Sequence, residues 1–67
     1  MNIYETLKEE RIQDIQKLLS DIKISDAIIK NKNIEENSYL FRTIVIKNQI
    51  DLMKVVSNIA FMMEKKI

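Results

Sequence analysis

Not one glycine or proline occurs in these 67 residues, and that leaves the chain few ways to turn sharply. Glycine supplies the positive φ, and proline the fixed φ, on which most tight turns rely. A chain without either is restricted to a few long elements. The stretch suited to a reversal is Asn31-Lys32-Asn33, because Asn is the non-glycine residue that best tolerates the left-handed conformation ending many helices. The expectation is one all-α domain over residues 1–67. It has a helix over about 2–30, a turn over about 31–33 and a second helix over about 34–66.

The second helix carries the strongest pattern. Phe41, Val45, Asn48, Leu52, Val55, Ile59 and Met62 are spaced alternately four and three apart, which puts them on one narrow stripe of a helix and makes them a heptad seam. Ile44, Val56 and Met63 widen that seam. A second set, Ile46, Ile50, Met53, Ser57 and Phe61, follows the same spacing well round the cylinder, with Tyr39 leading into it. Lys47, Asp51, Lys54, Asn58 and Lys65 are expected to form the wet side. Residues 39–46 are also rich in β-branched and aromatic types, which suit a strand. The helical pattern continues past them without a turn signal, and helix is preferred.

In the first helix Tyr4, Leu7, Ile12, Ile15, Leu18, Leu19 and Ile22 form the apolar face, interrupted by Arg11 near its middle. Either the arginine stem packs while its guanidinium reaches water or a Glu, or it forms an ion pair across an interface. At Ile24 the phase slips, and Ser25-Asp26 resembles a fresh cap, so a kink or break is expected near residue 24. Asn2 and Asn33 each precede a Glu by three residues, the spacing of a capping box.

One 67-residue domain buries too little surface to be comfortably stable alone, and such domains lean on disulfides, metals or a partner. Cysteine and histidine are both absent, so oligomerisation remains. Two apolar stripes on one helix exceed what a single hairpin can cover. The fold expected is therefore a helical hairpin that pairs with a second copy as a homodimeric four-helix bundle. The seam from Phe41 to Met62 serves self-association, and Tyr39, Ile46, Ile50, Met53 and Phe61 are candidate contacts to another protein. Asn48 within the seam must find a polar partner, and such an amide commonly fixes register or oligomer state.

The same composition excludes much chemistry. Without His, Cys or Gly the chain has no imidazole base, thiol nucleophile or glycine-rich phosphate loop. No enzyme activity, metal or cofactor is expected, and Glu9-Glu10 and Glu35-Glu36 read as solvated caps. Eleven basic against ten acidic residues give a net charge of +1, a poor footprint for nucleic acid. A basic face built by symmetry from Lys8, Arg11, Lys17, Arg42 and Lys47 is the alternative. Charges interrupt every apolar run, so no membrane span is expected. The N-terminal residues lack the pattern of a signal peptide, which suggests a cytoplasmic protein. Heavy use of Ile, Lys and Asn is what AT-rich codons produce, as in a low-GC bacterium or its phage. The function expected is a small non-enzymatic regulator or inhibitor that binds a larger protein. The alternatives are a nucleic-acid-binding helical dimer and a structural piece of a larger complex.

Overall fold

The computed structural model describes residues 3–64, in which the chain forms two helices, α1 (Ile3–Asn31) and α2 (Tyr39–Glu64). They pack side by side as an antiparallel hairpin: Arg11 meets Asn58 near the open end, and Asp26 meets Asn48 near the turn. Residues 39–46 are helical, and no strand occurs among the described residues.

α1 runs through residue 24 without interruption. Ser25-Asp26 does not start a new helix. The Asp26 carboxylate instead accepts a hydrogen bond from Asn48 Nδ2 at 3.2 Å, so the apparent cap is a contact between the two helices. The turn follows the expected logic. Asn33 takes φ 49°, Ile34 N–H donates to the Ile29 carbonyl at 3.2 Å, and Asn33 N–H donates to that of Lys30 at 3.4 Å. This paired arrangement is a Schellman ending, with Asn where Gly is usual.

α2 begins at Tyr39, five residues after the expected start at 34. The cap is Ser38, not Asn33. Ser38 Oγ accepts from Phe41 N–H at 3.1 Å and donates to the Glu35 carbonyl at 2.7 Å, while Arg42 N–H makes the first helical bond to the Ser38 carbonyl. Asn33 cannot cap α2, because its left-handed backbone already closes α1. Asn2, expected to cap α1, and Lys65, expected on the wet side of the second helix, lie outside the described residues. Ser38→Ala is expected to cost about 1 kcal/mol, read as a lower urea midpoint with an unchanged slope.

What holds α1 on α2 is thin. α1 has no buried residue, and Val55 is the one buried hydrophobic side chain among the described residues. The Cα trace measures 48 × 17 × 11 Å with a radius of gyration of 15.4 Å, against about 11 Å for a compact domain of this length. The hairpin is a slab one helix thick. A single layer cannot enclose a core, since every packed architecture needs at least two.

Candidate interaction surfaces

The α2 residues turned to α1 are Phe41, Ile44, Asn48, Asp51, Val55, Asn58 and Met62, all buried or half-buried. Opposite them, Arg11, Ile15, Leu18, Ile22, Ser25 and Ile29 are half-buried. Three of the four buried residues in this seam are polar: Asn48, Asp51 and Asn58 are 9%, 7% and 8% exposed, beside Val55 at 7%. Asp51 and Asn58 therefore leave the wet side to which the sequence reading assigned them. They form a column with Ile44, each seven residues apart, and that column lies beside the Phe41, Asn48, Val55 and Met62 column.

Each buried polar group has a specific arrangement. Arg11 Nη1 donates to Asn58 Oδ1 at 3.1 Å, and Asn58 Nδ2 donates to the Lys54 carbonyl at 3.0 Å. The Arg11 guanidinium also lies over the Phe61 ring, 4.3 Å from its centre, within cation–π range. Arg11 thus reaches neither a Glu nor bulk water alone; its charge is placed on an amide and an aromatic face. Asp51 forms an ion pair with Lys47 at 2.9 Å on its own helix. Asn48 gives one amide hydrogen to Asp26, while its Oδ1 is buried and has no partner.

The two broad faces of the slab differ. On one, Arg11, Asp14, Lys17, Asp21, Asp51, Lys54 and Asn58 line a groove of alternating charge beside Leu18. The other is apolar. At about 100° per residue, Ile12, Ile15, Leu19 and Ile22 fall on the side of α1 away from that groove. In an antiparallel pair, Val45, Leu52, Val56 and Ile59 of α2 fall on the same side. Ile12, Leu19, Leu52, Val56 and Ile59 are exposed there.

The sequence-derived seam is accordingly divided. Phe41, Asn48, Val55 and Met62 face α1 of the same chain, and Val45, Leu52 and Ile59 lie on the apolar face. The second stripe occupies the back of α2, with Tyr39 86% and Met53 69% exposed and Ile46 and Ile50 also open. Phe61 departs from that stripe, held half-buried beneath Arg11. Ile24, Ile28 and Leu40 are exposed near the turn on the charged side. At the open end Ile3, Tyr4, Leu7, Lys8, Phe61 and Met62 line a cleft of about 210 Å³.

No known protein family, curated protein or solved structure matches this chain.

The chemistry available must then be read from the surfaces alone. Among the described residues no group of three or more His, Cys, Asp or Glu side chains is placed to hold a metal, and no helix is long and apolar enough to cross a membrane. Of the basic residues considered for nucleic acid, Arg11 is engaged with Asn58 and Phe61, and Lys47 with Asp51. Lys8 and Lys17 project to opposite sides of α1, being nine residues, or two and a half turns, apart. One chain gathers no basic face from this set.

Proposed function

We propose that this chain is a small non-enzymatic protein–protein interaction module, a regulator or inhibitor that acts as a homodimeric four-helix bundle and binds a larger protein. The observation that carries this reading is the distribution of apolar surface on α2. The seam toward α1 is half polar, whereas Tyr39, Ile46, Ile50 and Met53 are open on its back. A helix that buries amides and a carboxylate while exposing Ile and Met has its largest apolar area available for contacts outside the chain. Met53 suits such a role, since thioethers adapt to irregular partner surfaces.

The experiment is photo-crosslinking in the cell of origin, with a photoreactive residue at position 53 or, as control, at Gln16 on the polar back of α1. A discrete adduct to a second protein is expected from position 53 alone, and Ile50→Glu should abolish it while sedimentation still shows the dimer. Equal adducts from both positions, or an adduct that survives Ile50→Glu, would overturn the role given to this stripe.

A further inference from the structure

The apolar face and the stripe on the back of α2 are different surfaces, and the first has an identifiable occupant. The chain exposes 5738 Å², roughly 1,300 Å² more than the scaling for a compact monomer of 8.0 kDa gives. A standard interface takes about 800 Å² from each partner, so covering one broad face of the slab removes most of that excess. The apolar face presents Ile and Leu from both helices, the groove face alternating charges. A second layer of two helices on the apolar face converts the slab into a closed two-layer bundle.

The charges at the ends of that face select the occupant and its direction. Lys8 and Asp26 are 18 residues apart, five full turns at 3.6 residues per turn, so they stand on one line of α1, separated by about 27 Å. Both are exposed. That line runs down the middle of the apolar face of α1, with Lys8 and Asp26 at its two ends and Ile12, Ile15, Leu19 and Ile22 between them. Reflection about residue 17 exchanges Lys8 with Asp26, Ile12 with Ile22, and Ile15 with Leu19. An α1 laid antiparallel against a second α1 thus meets opposite charge at each end and apolar side chains between. Laid parallel, it would set Lys8 against Lys8 and Asp26 against Asp26. Complementarity of a surface to itself under a twofold axis defines an isologous interface.

We infer that a second copy of this chain docks on the face formed by Ile12, Ile15, Leu19, Ile22, Leu52, Val56 and Ile59, with α1 antiparallel to its counterpart and Lys8 opposite Asp26 of the other copy. This rests on the dimeric reading above and adds the face and the direction. Asp26 then serves two partners, Asn48 within its own chain and Lys8 across the axis, coupling hairpin register to assembly. The charged groove and the back of α2 stay outside the interface, the latter free for a different protein.

The test uses the full chain, which has no native cysteine among its residues, carrying a spin label at Lys30→Cys, an exposed position of α1 outside the Lys8–Asp26 pair, with sedimentation equilibrium alongside. The expected result is a dimer in which each label lies roughly 40 Å from its counterpart. Leu19→Glu should abolish the dimer and Ile50→Glu should preserve it. A dimer with label separations under about 15 Å, as parallel or diagonal α1 helices would give, overturns the direction while leaving the dimer standing. A folded monomer, or a dimer that survives Leu19→Glu, overturns the face. The label distances carry the inference even where Leu19→Glu fails to fold.

Discussion

Val55→Asp is expected to leave the chain unfolded, with the helical signal at 222 nm lost at a concentration where the wild type is fully helical. Val55 is the one buried hydrophobic among the described residues and sits in the seam between α1 and α2, with Asp51 buried one turn before it and Asn58 one turn after. An added carboxylate there has no basic partner in the seam, since Lys47 is engaged with Asp51 and Arg11 with Asn58. Burying an unpaired charge costs several kcal/mol, and a core of this size rarely supplies more than about 3–5 kcal/mol. Val55→Ala, which removes two methyl groups, should cost about 2 kcal/mol and leave a folded chain with a lower urea midpoint. Thr43→Asp, on the exposed side of α2, should change stability by less than about 0.5 kcal/mol. If Val55→Asp melted within a degree or two of the wild type, the α1–α2 seam would not be what holds the fold.

Asn48→Leu should act in the opposite direction and raise stability by about 1–2 kcal/mol. Asn48 makes one hydrogen bond through the seam, to Asp26, but its Oδ1 is buried without a partner. An orphaned buried acceptor costs about 1–3 kcal/mol. The bond to the Asp26 carboxylate, although charge-assisted, ends on an exposed group that water solvates once the amide is gone, and Leu adds buried apolar area. Leu removes the orphan, and Asp26, exposed at the helix surface, keeps its hydration. In a domain of this length each kcal/mol moves the melting temperature by about 4–8 °C. The gain should come with a loss of uniqueness, because the Asn48–Asp26 bond favours one register that an all-apolar seam would not specify. Broadened or doubled amide resonances in the more stable variant would show this. A lower melting temperature would mean that the Asp26 bond outweighs the orphaned oxygen.

The two-helix architecture was legible because it follows from local rules: no Gly or Pro to interrupt the helices, and Asn at the one reversal. The late start of α2 was not, because Asn33 satisfies two motifs and the sequence does not say which wins. Its left-handed backbone closes α1, and Ser38 inherits the capping role. The inner face of α2 was half legible. Phe41, Asn48, Val55 and Met62 stood out by hydrophobic spacing, but their neighbouring column holds Asp51 and Asn58, and polar residues are read outward by any rule that equates burial with hydrophobicity. Arg11 gave the missing signal. An arginine within the apolar face of α1 implies a polar counterpart on the facing helix, and Asn58 is the residue at that level. The back of α2 was visible as a stripe except for Phe61, which a cation on the other helix draws inward.

A slab 11 Å thick abolishes a distinction on which most sequence interpretation depends. In a globular domain, apolar substitutions inside alter stability and those outside alter recognition, so the two can drift separately. Here most of the Ile, Leu and Met side chains among the described residues are exposed, and an exchange that would be silent repacking elsewhere changes what the chain can hold on to. Relatives of such a chain would be expected to diverge quickly in sequence while keeping two helices and a turn, each set of apolar faces adjusted to its own companions.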